Sequence, residues 1–285
     1  FILRIKDEFF ENKLRDIDKS DIYLKTLNDN RKADSYSGRC SVGPQISDNE
    51  DFNFKQLKRI KKFPSEALFE ELNVNRNNAG DIAANWIPMQ SIVNLKNKLT
   101  YLKTHNAMMT INNHKFTNAD NTNGFIYLVR DPRDVLISYT SHMSISLETT
   151  LDIMTSARAY AKQDKTIMST WANHYNSWKN SNFPKIIIKY EDLIEDSENN
   201  FNKIITFLNK INNLPIDKEK IKRCIVNSNF DSLKKLEQKE GFDEATKNAF
   251  FRKGKVGQWK EVLDKKTTKK IEDSFNKEMK DLGYL

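Results

Sequence analysis

An arginine between an apolar run and a helix start is the first group in this chain that could bind an anion. Arg130 follows the run Phe125 to Val129 and precedes Asp131-Pro132, where aspartate fits a helix N-cap and proline the first helical position. Open α/β sheets bind ligands where strands end, and helix N-termini attract anions. Ser138, further along the predicted helix, can add a hydroxyl donor. The segment predicts an anion site; the alternative is a capped helix whose arginine pairs with a neighbouring aspartate.

A second cationic segment lies near the C-terminus. Arg252 and Lys253 stand side by side before Gly254, and Trp259 follows closely. Glycine lets the backbone approach a bound group, and adjacent cations suit a dianion such as phosphate. Alone this segment is weak, but together with the upstream arginine segment it predicts one phosphate site built from two distant parts of the chain.

A histidine after a predicted strand is the candidate catalytic base. The run Leu99 to Lys103 predicts a strand that leads into Thr104-His105-Asn106. Imidazole accepts a proton near neutral pH, as a base acting on an alcohol must, and the preceding lysine can offset developing negative charge. A lone histidine at such a place is more often structural, so the assignment depends on its context. The other histidines have no comparable context and no metal-ligand spacing: His114, His142 and His174.

The charge of the chain favours anionic ligands but is spread along the sequence. The 285 residues carry a formal net charge of +8, with 30% charged and 38% hydrophobic residues. Lysines and glutamates are interspersed, whereas a nucleic-acid binder more often concentrates its cations in one patch or tail. We therefore predict a folded protein without a nucleic-acid partner. The sequence leaves the oligomeric state open.

The two cysteines, Cys40 and Cys224, form neither a disulfide framework nor a zinc-ligand pattern. The sequence shows no signal-peptide pattern and no apolar run long enough to cross a bilayer. These features predict a protein without a metal site or a membrane partner, in a reducing, cytoplasmic setting.

Predicted strands and helices alternate along most of the chain. Apolar runs predict strands at 99–103, 125–129 and 185–190, and amphipathic patterns predict helices at 54–72 (broken at Pro64), 132–142, 165–179, 198–210, 217–227 and 264–281. Residues 1–35 have apolar spacings that fit one or two amphipathic helices. The alternation implies an α/β fold: a parallel sheet of four to five strands flanked by helices, similar to the P-loop nucleotide-binding architecture. We predict an irregular or helical N-terminal segment, 1–50, and one domain, 51–285.

Four short segments resemble the motifs of the sulfotransferases that use 3′-phosphoadenosine 5′-phosphosulfate (PAPS), and they stand in the family's order. They are Lys103-Thr104-His105, Arg130 to Ser138, Tyr190-Glu191-Asp192 and Arg252-Lys253-Gly254. Each motif is weak alone, but four in order are specific. The resemblance extends over residues 52–285. It implies a cytosolic-type sulfotransferase domain with PAPS as the sulfuryl donor, no metal, and a small-molecule acceptor.

The resemblance also implies a role for each matching residue. His105 resembles the family's catalytic base, and Lys103 a lysine that offsets charge on the phosphosulfate. The implied nucleotide-binding residues are Arg130, Ser138, Tyr190, Ser228, Phe230, Arg252, Lys253 and Gly254. The arginines, Ser138, Lys253 and the Gly254 backbone would bind the 3′-phosphate.

Two aromatic residues are implied to contact the adenine. Tyr190 resembles the family tyrosine beside the base, and Phe230 ends the triplet Ser228-Asn229-Phe230, where the family commonly has Thr-Ser-Phe. The serine and the asparagine depart from that pattern. For both aromatic residues, ordinary core packing is the alternative.

The family's N-terminal loop, which binds the 5′-phosphosulfate through a lysine central to catalysis, has no counterpart in this sequence. In its place residues 35–44 read SYSGRCSVGP, with no apolar strand before them and no lysine after the tyrosine. Three explanations stay open: a degenerate or misread gene region, a protein that binds the nucleotide without turnover, or a different local structure.

The predicted function is transfer of a sulfuryl group from PAPS to a hydroxyl or amine acceptor. The alternative is a catalytically impaired protein that binds adenosine 3′,5′-bisphosphate or a polyanion at the same site. A nucleotide kinase-like enzyme is disfavoured because the Gly-x-x-x-x-Gly-Lys-Ser/Thr loop is missing from the sequence. The acceptor stays unnamed, since variable loops, here 64–98 and 140–165, build acceptor pockets.

Overall fold

The computed structural model describes residues 2–5, 61–95, 100–157, 160–161, 166–213, 216–242, 245 and 248–285. The strands within these ranges are β1 (Ile2–Ile5), β2 (Lys61–Lys62), β3 (Thr100–Lys103), β4 (Thr110–Ile111), β5 (His114–Lys115), β6 (Gly124–Val129), β7 (Tyr160–Ala161), β8 (Thr166–Ile167) and β9 (Lys185–Lys189). Five of them form the central sheet in the order β2-β3-β1-β6-β9, while β4-β5 and β7-β8 are separate two-stranded sheets.

The central sheet is mixed, with two parallel and two antiparallel strand pairings, and its parallel strands among helices confirm the predicted α/β class. Strand β2 runs parallel to β3, and β6 runs parallel to β9. Strand β1 lies between these two pairs and is antiparallel to both of its neighbours, β3 and β6. The four other strands therefore share one direction, so their carboxyl ends lie at one edge of the sheet.

The middle strand is the main departure from the sequence prediction. Ile2–Ile5 pairs with Thr100–Lys103 on one side and with residues 124–126 on the other, so the predicted helix is wrong for these four residues. The spacing of Ile2 and Ile5 fits a helix as well as a strand, and pairing with residues about a hundred positions away has no local signal. Residues 35–44 and the rest of the predicted N-terminal helices lie outside the described residues. The division at residue 50 stays a prediction.

The helices, in chain order, are α1 (Glu66–Glu71), α2 (Ala79–Ala84), α3 (Trp86–Asn94), α4 (Pro132–Met143), α5 (Leu147–Thr155), α6 (Trp171–Lys179), α7 (Tyr190–Glu195), α8 (Ser197–Asn212), α9 (Lys218–Asn227), α10 (Phe230–Glu240), α11 (Trp259–Val262), α12 (Lys265–Ser274) and α13 (Asn276–Asp281). The helices α4, α8, α9 and α12 begin within one residue of the predicted starts, and capping side chains hold several of the observed helix starts. Asp131 accepts a hydrogen bond from the amide of Arg133 at the start of α4, and Asn229 caps α10 in the same way.

Three predicted helices needed correction. Within the helix predicted for 54–72, Lys61–Lys62 is the strand β2, and the helix α1 begins only at Glu66. The helix predicted for 165–179 begins only at Trp171, because Thr166–Ile167 is a strand whose Ile167 amide donates to Oδ1 of Asn106 at 2.9 Å. The helix predicted for 264–281 is two helices separated at Phe275. Thr166–Ile167 pairs with Tyr160–Ala161 and also contacts the distant Asn106, and the amphipathic pattern of 165–179 indicates neither contact.

The sheet is covered on both faces, as a parallel sheet requires. Alternate residues of β6 point to opposite sides: Phe125, Tyr127 and Val129 join a core with Trp86 and Trp178, while Ile126 joins a second core with residues of α8. Behind α4 a third cluster joins Leu136 to Ile271, Phe275 and Met279 of the C-terminal helices. The C-terminal segment is therefore anchored beside the start of α4, where the sequence predicts the anion site.

Candidate functional site

Three of the predicted site segments follow strands that end at one edge of the sheet. The Thr104-His105 segment follows β3, Arg130 follows β6, and Tyr190 follows β9. Because these strands run in the same direction, the three segments lie at the edge where open α/β sheets bind ligands.

Arg130 contacts both Tyr190 and the C-terminal loop. Its Cζ lies 4.4 Å from the centroid of the Tyr190 ring, and its Nη2 donates to the carbonyl of Lys255 at 3.0 Å. The same nitrogen lies 3.6 Å from Oδ2 of Asp134, which is beyond a hydrogen bond. Its Nε is buried and has no hydrogen-bond partner among the described residues. The guanidinium therefore keeps donor capacity that the described protein groups do not use.

Asp134 ties the C-terminal loop to the start of α4. Its Oδ2 accepts from the amide of Gly257 at 2.7 Å, and its Oδ1 accepts from the amide of Trp259 at 2.9 Å. The carboxylate is fully buried, so these hydrogen bonds are protected from water. Sequence reasoning treated Asp134 only as a possible partner of Arg130 and missed this role.

Gly254 packs directly against Phe230. Its φ is +60°, in the left-handed region, and a Cβ at this position would lie 2.5 Å from Cδ2 of the Phe230 ring. Only glycine fits both the conformation and the contact. Phe251 meets the same ring edge-on, with centroids 6.3 Å apart, so Phe230 and the Arg-Lys-Gly loop are packed together.

The remaining predicted nucleotide ligands lie on the C-terminal loop, on α4 and at the end of α9. Arg252 and Lys253 are exposed on the loop, and Ser138 is half-buried on α4. Ser228 differs: it is the C-cap of α9, and its hydroxyl donates to the carbonyl of Cys224 at 2.6 Å. The hydroxyl of Ser228 is therefore used locally, which weakens its case as a ligand relative to Phe230.

The guanidinium of Arg133, three residues beyond Arg130, donates its hydrogen bonds to groups within the protein. It donates to Asp131 and to Glu272 and to the carbonyl of Tyr284, and its Cζ lies 3.8 Å from the centroid of the Trp259 ring. We call these residues the Arg133 cluster. It connects the start of α4 to the C-terminal helices.

Glu191 connects the ends of β6 and β9. Its Oε1 accepts from the amide of Asp131 at 3.0 Å, and its Oε2 accepts from the hydroxyl of Tyr284 at 2.8 Å. Burial raises the pKa of Tyr284, with the Glu191 hydrogen bond acting in the same direction, and burial likewise raises the pKa of Tyr190. Both phenols therefore stay protonated at neutral pH.

The segment with the predicted base is held mainly by its backbone. The amide of Phe63 donates to the carbonyl of Lys103 at 2.7 Å, and the amide of Ala107 to that of Ile167 at 2.8 Å. His105 and Lys103 are half-buried. The carbonyl of His105 lies 3.2 Å from Nε2 of His174, a histidine that sequence reasoning set aside.

No metal-ligand cluster of histidine, cysteine and carboxylate side chains occurs among the described residues. Within the same ranges, none of the helices has the length and apolar character needed to cross a membrane.

The fold and the site together define an α/β protein with a candidate anion site at the carboxyl edge of its sheet. The sequence profile of the family described as sulfotransferase domain matches residues 44–283. The chain therefore belongs to the sulfotransferase family.

Curated relatives carry sulfotransferase names. The amine sulfotransferase of Oryctolagus cuniculus is 28% identical over 169 residues, covering 55% of this chain and 54% of its own length. The 3-beta-hydroxysteroid sulfotransferase of Cavia porcellus is 31% identical over 153 residues, covering 47% and 48%. The chain thus spans about half the length of these relatives.

Solved structures of the family are similar at low identity. Retinol dehydratase in complex with androsterone and the inactive cofactor PAP is 23% identical, with a TM-score of 0.48 over 63% of this chain and 53% of its own. A mouse sulfotransferase complexed with PAP is 21% identical, with a TM-score of 0.43 over 56% and 60%.

Proposed function

We propose that this protein transfers a sulfuryl group from PAPS to the hydroxyl or amine of a small-molecule acceptor. The observation that carries the proposal is the contact between Arg130 and the loop of Arg252-Lys253-Gly254, made through the carbonyl of Lys255. Family membership supports the reaction class, and this contact supports the proposed nucleotide site.

The residues at this contact fit a doubly charged phosphate. The buried Nε of Arg130 is a donor without a described partner, and a phosphate oxygen would give it a charge-assisted hydrogen bond. Arg252 and Lys253 add two exposed cations on the same loop. Ser138 and the backbone of Gly254 complete the proposed set for the 3′-phosphate.

The aromatic residues fit the other end of the nucleotide. Phe230 is half-buried and packs against Gly254, and the Tyr190 ring lies against the guanidinium of Arg130. A base can stack on such rings while the neighbouring cations bind its phosphate. We propose that Phe230 and Tyr190 contact the adenine. Ser228, whose hydroxyl is bonded to the Cys224 carbonyl, caps the end of α9.

The proposed chemistry needs a base and a local positive charge. When bound, PAPS supplies a sulfuryl group that is activated by its link to adenosine 3′,5′-bisphosphate. The imidazole of His105 accepts the proton of the acceptor hydroxyl, and the ammonium of Lys103 stabilises the negative charge that develops nearby. Most of the acceleration comes from holding the reactants in place, as in phosphoryl transfer.

Binding and turnover test separate parts of the proposal. Isothermal titration with adenosine 3′,5′-bisphosphate tests the nucleotide site, and ATP is the comparison ligand. A preference for ATP would indicate a kinase-like enzyme instead. Bisphosphate binding without sulfate transfer from labelled PAPS would indicate the catalytically impaired binding protein.

The variant His105→Ala tests the catalytic base. We expect transfer to fall by roughly 10²–10⁴-fold, the usual contribution of a positioned base, while bisphosphate affinity stays within about twofold of wild type, a difference well below 1 kcal/mol. His114→Ala is the matched control, because His114 lies exposed in the β4-β5 hairpin. Equal turnover in the His105 variant and the wild type would remove the base assignment.

The setting of the protein is also part of the proposal. Only two cysteines occur in the sequence, and on that ground we propose a reducing, cytoplasmic compartment. We propose a small-molecule acceptor and neither a nucleic-acid nor a membrane partner.

A further inference from the structure

His174 lies on α6, and its ring stands between the carbonyl of His105 and the hydroxyl of Tyr127. Its Nε2 lies 3.2 Å from the carbonyl oxygen of His105, and its Nδ1 lies 2.9 Å from the hydroxyl of Tyr127. A carbonyl oxygen can only accept, so Nε2 carries the hydrogen. In the neutral ring Nδ1 is then the acceptor, and the hydroxyl of Tyr127 donates to it.

Burial keeps the imidazole of His174 neutral and the hydroxyl of Tyr127 protonated. It lowers the pKa of His174 to about 4, so the ring is neutral at physiological pH. Burial also raises the pKa of Tyr127, so its hydroxyl stays a donor. The direction of both hydrogen bonds is therefore fixed, and the tautomer of His174 is fixed with them.

The same face of α6 holds two consecutive carbonyls of the proposed catalytic segment. Trp178, one helical turn after His174, donates from Nε1 to the carbonyl of Asn106 at 3.0 Å, while His174 holds the carbonyl of His105. Residues four apart lie on one helix face. Since Trp178 is fully buried, this face is a rigid support for the backbone on both sides of the His105–Asn106 peptide bond.

We infer that His174 is a positioning residue, which orients the backbone of His105 so that the His105 imidazole reaches the acceptor. The inference rests on the proposed function only in taking His105 as the base. Tyr127 acts one step further away, by holding the ring of His174 in the tautomer that donates to His105. The signal was present in the sequence: His174 lies three residues after Trp171 and four before Trp178, spacings that put the three side chains on one helix face.

Two amide substitutions separate the hydrogen bond from the shape of the side chain. In His174→Gln the side-chain nitrogen can stand near the place of Nε2 and donate to the carbonyl of His105. In His174→Asn the shorter amide reaches only the place of Nδ1, beside Tyr127. We expect H174Q to keep transfer within about tenfold of wild type and H174N to lose about 100-fold, since a displacement of about 1 Å at a reacting group has that effect.

Nucleotide binding and folding are the controls for this series. Both variants should bind adenosine 3′,5′-bisphosphate within about twofold of wild type, because the hydrogen bonds that they alter, to Tyr127 and His105, are not among the proposed phosphate contacts. Tyr127→Phe keeps the ring, removes the hydroxyl, and should reduce transfer by an intermediate factor. Thermal melting of each variant shows whether activity follows positioning or stability.

Histidine-labelled NMR gives a readout that needs no turnover. We expect His174 to show the Nε2-protonated tautomer without taking up a proton above about pH 5, and the His105 imidazole resonance to keep its position in H174Q and move in H174N. The inference is overturned if H174Q and H174N have equal transfer rates and equal His105 resonances. It is also overturned if His174 titrates near the ordinary pKa of about 6.5. If the wild type transfers no sulfate, the proposed function fails, while the resonances still decide the role of His174.

Discussion

Arg130 and Arg133 lie three residues apart at the same sheet edge, yet they have opposite environments. The side chain of Arg133 is 6% exposed and has charged partners on Asp131 and Glu272. Arg130 is 20% exposed, its nearest carboxylate is 3.6 Å away, and its Nε has no partner among the described residues. Arg133 thus has charged partners within the protein, whereas Arg130 has a hydrogen-bond donor left for a ligand.

The difference shows what separates a structural cation from a binding one. Arg133 faces the C-terminal helices and stacks on Trp259, so its charge joins parts of the fold. Arg130 faces the Lys255 carbonyl and the Tyr190 ring, neither of which neutralises its charge. Substitution of the first should therefore change stability, and substitution of the second should change ligand affinity.

The largest effect is expected for Arg133→Ala. Removing this side chain leaves the buried carboxylate of Asp131 without its cation, which destabilises proteins by roughly 3–5 kcal/mol. The free energy of unfolding, measured by urea titration, checks this. Arg133→Lys is the matched variant, because it keeps the charge but loses the bidentate geometry and the stacking on Trp259. Its free energy of unfolding should therefore lie between those of the alanine variant and the wild type. Unchanged stability in the alanine variant would contradict the structural role.

Arg130→Ala and Arg252→Ala should act on binding instead. Each removes one charged hydrogen bond to the phosphate, so affinity for adenosine 3′,5′-bisphosphate should fall by roughly 1.5–3 kcal/mol. The unfolding free energy should change less than in Arg133→Ala, because Asp134 keeps its hydrogen bonds from the amides of Gly257 and Trp259. Arg223→Ala, at an exposed position of α9, removes a positive charge that is not among the proposed phosphate ligands and serves as the control in the same titration. Wild-type affinity in both site variants would refute the assignment.

A smaller effect is expected from Gly254→Ala, compared with Gly257→Ala. Both glycines have positive φ, +60° and +75°, but only at Gly254 would the new Cβ meet a neighbour, the ring of Phe230. The left-handed conformation destabilises the loop of each alanine variant by roughly 1–2 kcal/mol. The excess loss of bisphosphate affinity in Gly254→Ala over Gly257→Ala therefore measures the displacement of Phe230. If the two variants lose the same affinity, Phe230 has no part in binding.

Several elements could be predicted because their signals are local. The β6 run, the Asp131-Pro132 start of α4 and the strand β9 depend on apolar patterns and capping residues within a few positions, and all three are observed. The order of four short motifs similarly led to the family, to which the chain belongs. The strand Ile2–Ile5 was missed because its partners are distant in sequence. The strand before α6 was missed because it is two residues long and adjoins an amphipathic helical pattern.

The sequence by itself determined which groups this chain has for binding an anion: two cationic segments with a glycine and a helix start, and a histidine after a strand. Only the tertiary structure decided how they are used. It joined Arg130 to the C-terminal loop, gave Arg133 its internal partners, and placed His174 behind His105. The physical reason is that a side chain's spare hydrogen bonds and burial depend on neighbours from other parts of the chain, whereas residue type and spacing describe only the neighbours in sequence.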